Sequence, residues 1–166
     1  MRPKRLLVVL LTVLGLSAAG LSSAQASTWH PPQIKSLGAY ATESGNPDVV
    51  RVTGTYKCWG KSRNMHLWVS VKQGGPDPTA GGSSETVNAW YDTNISGDVS
   101  VICDGTFHTK TVKLGRHDTD FSGRPLGYLQ NGKAWLQFCL VPVSNESFLA
   151  SKTRWVTVRH ATVPTA

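Results

Sequence analysis

Val50-Arg51-Val52-Thr53-Gly54-Thr55-Tyr56-Lys57-Cys58 alternates without a break: Val, Val, Gly, Tyr and Cys on one parity, Arg, Thr, Thr and Lys on the other. Two-residue periodicity of this kind specifies a strand with one buried and one wet face. The stretch Met65 to Gln73 repeats the pattern, with Leu67, Val69 and Val71 pointing inward and His66, Trp68, Ser70 and Lys72 outward. Farther on, Glu85 to Thr93, Asp98 to Cys103, Phe107 to Leu114, Lys133 to Val141 and Lys152 to His160 read as strands, and Gln33 to Thr42 as a first one. Gly, Pro, Asn and Asp clusters punctuate them, and helical periodicity is nearly absent. The expectation is an all-β chain of about seven or eight short strands, folded as a single antiparallel β-sandwich of immunoglobulin-like kind. Asp104-Gly105 reads as a type I′ hairpin turn between two of those strands.

The residues before this region are of another kind. Arg2, Lys4 and Arg5 precede the apolar run from Leu6 to Leu16, and Ala24-Gln25-Ala26 has the small-x-small form of a cleavage site. The run is shorter than the roughly 20 residues of a membrane span, so it reads as a secretory signal peptide. The expected organisation is a signal at 1–26, an N-terminal segment at 27–44 that is partly disordered, and a β-sandwich domain at 45–166. The mature chain is then secreted, with no membrane association after cleavage. Without the signal, fourteen basic residues stand against ten acidic ones. They are spread along the chain with no run of like charge, so no nucleic-acid partner is expected.

Three cysteines in an exported chain suggest one disulfide and one free thiol. Cys58 and Cys103 lie on the apolar parity of their strands, whereas Cys139 shares its parity with Trp135 and Gln137; the expected pair is Cys58 with Cys103. Both end their strands. If successive strands alternate in direction, their ends meet only when an odd number intervenes, so Glu85 to Cys103 should run one way, bent near Ser96-Gly97.

Gly54-Thr55-Tyr56-Lys57-Cys58, the valine-rich strand ending at Gln73, and Val101-Ile102-Cys103-Asp104-Gly105-Thr106 with His108 resemble a pattern in small secreted proteins of high-GC Gram-positive bacteria. The resemblance spans roughly Val49 to Leu140. It implies export and an immunoglobulin-like sandwich, and it implies no activity.

Chemistry is sparse. His117, Asp118 and Asp120 cluster in the polar loop from Gly115 to Gly132, and with His66 or His108 they would form the smallest set a hydrolase needs; two acids and one histidine in such a loop are more often a solvated turn, which is the reading adopted. No G-x-S-x-G elbow occurs. The expectation is therefore no enzyme, no metal and no cofactor. Among the six tryptophans, Trp68, Trp135 and Trp155 fall on the polar parity of three strands. An outward row of indoles is a platform for sugar rings or a protein partner. The reading is a secreted binding module for an extracellular glycan, cell-wall polymer or protein. Its alternatives are a small-molecule carrier or inhibitor using the loops Gly74 to Ser84 and Gly115 to Gly132, and a hydrolase with an unrecognised site.

Overall fold

The computed structural model describes residues 30–43, 45–60, 65–79, 87–96, 99–142 and 149–160. The signal segment lies outside them. In chain order the elements are β1 (Gln33–Leu37), β2 (Tyr40–Glu43), β3 (Val49–Lys57), β4 (Met65–Gln73), β5 (Ala89–Asp92), the single turn α1 (Thr93–Ser96), β6 (Val99–Ser100), β7 (Phe107–Arg116), β8 (Gly132–Pro142) and β9 (Ala150–Arg159).

All strands belong to one sheet, and the sheet closes. Its order is β1-β3-β2-β9-β8-β4-β5-β7, and β7 pairs back onto β3. That pairing runs the length of both strands, from Val49↔Gly115 to Lys57↔Phe107. On its other edge β3 carries β1 along its second half and β2 along its first. The expected two-layer sandwich is thus corrected to a barrel. Alternation dictates an inner and an outer face in either architecture; whether the two edges meet is decided by long-range pairing that strand patterning does not encode.

The stretch Gln33 to Thr42 is two strands rather than one. Gly38 turns the chain inward at their junction, its N–H donating to the Thr53 carbonyl at 2.7 Å. β2 then pairs in parallel with β9, Tyr40↔Thr157 through Thr42↔Arg159. Residues 33–43 are therefore part of the wall, which begins upstream of position 45.

The inner face is filled. Val50, Val52 and Tyr56 of β3 meet Leu67, Val69 and Val71 of β4, Val112 and Leu114 of β7, Leu136, Phe138 and Leu140 of β8, and Val156 and Val158 of β9. Gly54 is the gap in the β3 series that the Phe138 ring occupies: a Cβ there would stand 2.5 Å from the ring. A small barrel packed in this way has a solid core, not a lumen.

β4 pairs antiparallel with β5 from Gln73↔Ala89 to Ser70↔Asp92, then with β6 at Leu67↔Val99 and His66↔Ser100. Both segments therefore run in one direction, as expected, interrupted by α1. Asp92 Oδ1 caps that turn by accepting from the Asn94 N–H at 2.9 Å. Thr93 Oγ1 accepts from the Val69 N–H at 3.2 Å, holding a ladder donor that the excursion leaves without a strand partner. Cys58 and Cys103 are bonded across 45 residues of chain, and Cys139 is free. The hairpin expected at Asp104-Gly105 is not formed. Only Gly105 has positive φ, at 82°, whereas a type I′ turn needs it at both central residues, and β6 does not pair with β7. Asp104 Oδ1 instead accepts from the Thr106 N–H and hydroxyl at 2.8 and 2.7 Å.

Candidate functional site: an aromatic face outside the barrel

On the outer surface Trp135 of β8 is the register partner of Trp155 of β9. Their rings meet edge to face, centroids 5.2 Å apart at 66°. Trp155 is 47% exposed and Trp135 half-buried beneath it. Trp135 is also opposite Lys72 of β4, and Lys72 is opposite Trp90 of β5. One level of the wall therefore carries Trp90, Lys72, Trp135 and Trp155 in line across four strands.

Lys72 is 1% exposed between the flanking indoles, with Nζ 6.0 Å from the Trp90 centroid. Burial pushes its pKa below the ordinary lysine value, and the nearby charges of Asp92 and Asp77 act in the opposite sense. Trp90 is closed off from solvent. His117 stacks on it at 3.6 Å, Phe121 meets it edge-on at 5.4 Å, and Val87 and Leu126 complete a small second cluster.

Of the three expected tryptophans the structure unites two. Trp68 lies opposite Cys139, four residues from Lys72 along β4, which is about 13 Å at strand rise. It is half-buried and outside the row. Trp90 occupies the level instead. Trp90 shares its parity with Asn88 and Asp92, against Val87, Ala89 and Tyr91 on the other, but its indole is covered by His117, Phe121 and Leu126.

The exposed end of the row continues onto β2. Tyr40, 44% exposed, is the register partner of Thr157, two residues from Trp155. The Arg159 guanidinium lies 3.3 Å from the Tyr40 ring centroid. Lys133 stands opposite Thr157 on the other side. Trp135, Trp155 and Tyr40 thus form one strip, edged by Lys133, Thr157 and Arg159.

The other candidates come apart. His117 Nε2 lies 2.9 Å from Oδ1 of the fully buried Asp92, while Asp118 pairs with Arg116. Asp120 accepts from Ser122 and Arg124 within its own turn, and these bonds, the Ser122 hydroxyl first, hold its carboxyl below the usual range. His108 pairs with Asp104. His66 stands on β4 between Val141 and Ser100. Among the described residues no group of three or more His, Cys, Asp or Glu side chains could hold a metal ion.

At one mouth of the barrel Glu43, Tyr91, Tyr128, Leu129 and His160 line a recess of about 120 Å³. Tyr91 donates its hydroxyl proton to the Pro47 carbonyl at 2.6 Å there, and Glu43 pairs with His160. The loop from Gly115 to Gly132 contributes to it; the loop from Gly74 to Ser84 is described only as far as Thr79.

No known family model matches the chain, and a search of curated proteins finds no relative.

Proposed function

We propose that the protein is a secreted, non-enzymatic binding module that holds an extracellular polysaccharide or wall polymer on the strip Trp135–Trp155–Tyr40. The observation that carries this reading is the exposure of Trp155 and Tyr40 side by side on adjoining strands, 47% and 44%. Large aromatic surface left in water is costly unless something covers it in use. An indole face suits the C–H face of a sugar ring, and the hydroxyl of Thr157 with the cations of Lys133 and Arg159 supplies polar contacts at the rim. The strip lies on the outside of the barrel, which suits a chain laid across it.

One further feature supports an extracellular setting. A disulfide joins Cys58 to Cys103, a bond that persists in oxidising compartments. Among the described residues no helix is long and apolar enough to cross a membrane. For the small-molecule alternative, the loop from Gly115 to Gly132 borders a mouth recess of only about 120 Å³, well short of the roughly 300 Å³ at which ligand pockets begin; among the described residues a wider depression of about 310 Å³ over Ser96, Val99, Ser100, Lys110 and Lys113 is open to solvent and lies apart from that loop.

Titration with soluble polysaccharides, read by intrinsic tryptophan fluorescence, tests the reading. Binding should quench or shift the emission, and Trp155→Ala should remove binding while leaving the melting temperature within about 2 °C, since the ring is largely outside the packed interior. A Trp155→Ala protein that binds like the parent would refute the assignment.

A further inference from the structure

The basic residues, scattered in sequence, are gathered by the barrel. Thr42 of β2 is the register partner of both Arg159 of β9 and Arg51 of β3, and Arg51 is the partner of Lys113 of β7. Arg159, Arg51 and Lys113 therefore stand at one level over three strand spacings, about 14 Å. Arg51 and Lys113 are like charges directly opposite one another, an arrangement that destabilises a strand pair when nothing of opposite sign lies between them.

Along β3 and β7 this row leads into a threonine ladder, Thr53 with Thr111 and Thr55 with Thr109, hydroxyl to hydroxyl at 2.9 and 2.8 Å. The ladder ends at a second cationic group about 20 Å from the first. There Lys57 lies 4.5 Å from the Trp59 centroid and 5.3 Å from that of Phe107, and Lys35 lies 5.0 Å from Phe107. The outward positions of β1, β3 and β7 include no acid. Acids near the rims are engaged elsewhere: Glu43 with His160, Asp48 with Arg116, and Asp104 with His108.

We propose that the polymer is polyanionic, a glycan or wall polymer with repeating phosphate or carboxylate groups, and that those groups lie on the row Arg159–Arg51–Lys113 and continue toward Lys57. The proposal rests on the binding function above, because Arg159, the cation stacked on Tyr40, belongs to both surfaces. The sugar faces stack on the aromatic strip while the anions cross the seam onto β3 and β7. Counterions released from such a chain make its affinity fall with salt, as for other polyanions.

The test uses phosphorylated mannan and polygalacturonate as anionic probes, and methyl-esterified polygalacturonate as the neutral counterpart. The parent protein should bind both anionic polymers at least tenfold more tightly than the ester, with an advantage that shrinks between 50 and 200 mM salt. Phosphate and carboxylate are distinguished by which of the two probes binds better. Arg51→Gln/Lys113→Gln should lose that advantage while keeping its affinity for the ester and, with the opposed charges gone, an equal or higher melting temperature. Equal affinity of the parent for charged and esterified polymer, or a folded double variant that keeps the preference, would overturn the proposal. So would duplex DNA binding as tightly as the anionic polysaccharides and indifferently to Trp155→Ala, which would make the face a general polyanion surface. Failure of every polymer to bind defeats the proposed function itself. Anionic binding that survives Trp155→Ala defeats the aromatic strip and its link to this face.

Discussion

Gly54 shows how closely the interior is fitted. The Phe138 ring rests directly on its Cα, so Gly54→Ala forces a buried ring to move within a closed wall; the expected cost is about 1–3 kcal/mol, read as a lower urea midpoint with unchanged slope. Cys139 makes the opposite point about accessibility. It lies on the outward parity yet is fully buried, and burial pushes its thiol up to about 12, with a Gln137 hydrogen bond acting in the other direction. A disulfide-exchange reagent at about pH 8 should therefore find no thiol in the native protein and one after unfolding. Rapid labelling of the native protein would contradict its placement. Asp104 provides a pH test: its bonds to His108 and then to Thr106 hold the carboxyl well below the usual 3.8. A depressed carboxylate contributes stability that is complete above its unfolded value and fades as pH falls through the folded one. In an NMR titration the Asp104 carboxylate should still be ionised near pH 3, where ordinary aspartates are mostly protonated. Parity gave the outward direction of Cys139 and Trp155, but exposure depends on what lies over a side chain. Trp90 and Cys139 point outward and are covered, Trp155 points outward and is not, and nothing in their own strands distinguishes them.

The bond between β3 and the segment after β6 closes a 45-residue loop. In the chain-entropy account this stabilises the fold by about 4 kcal/mol, so Cys58→Ala/Cys103→Ala should unfold at much lower denaturant while the urea slope rises with a less constrained unfolded chain. A change under about 1 kcal/mol would mean the unfolded state is already compact near these positions. The pairing was legible because both cysteines sit on apolar parities, and the same reasoning required β5 and β6 to run in one direction. Their interruption by α1 was not legible, since Thr93 and Asn94 are ordinary strand-end residues until Asp92 caps a turn on them. The division of β1 from β2 was hidden likewise: it depends on Gly38 reaching Thr53, a contact made only once β3 is in place. The hairpin at Asp104-Gly105 fails because β3 already holds this end of β7 at Lys57↔Phe107, β6 is paired with β4, and the Gly105 N–H donates to the Cys58 carbonyl instead.

Closure of the sheet is the property the sequence expressed least, because sandwich and barrel share one alternating code and differ in whether two distant edges find each other. The cationic face was hidden for the same reason. Arg51, Lys113 and Arg159 are far apart in the chain and neighbours only around the barrel, so the even spread of charge along the sequence, the ground for expecting no nucleic-acid partner, does not describe the folded surface. Most of the wall is built from pairings between remote segments, and such topologies fold slowly for their size, in milliseconds to seconds. The seam between β2 and β9 has a consequence for how the chain comes into being. A ribosome or translocation pore delivers the early strands first, and they must wait with an unsatisfied rim until the latest described strand arrives to dock beside them. Any machinery handling this polypeptide therefore meets an open, adhesive intermediate until β9 emerges, and loss of β9 would leave that intermediate as the end state.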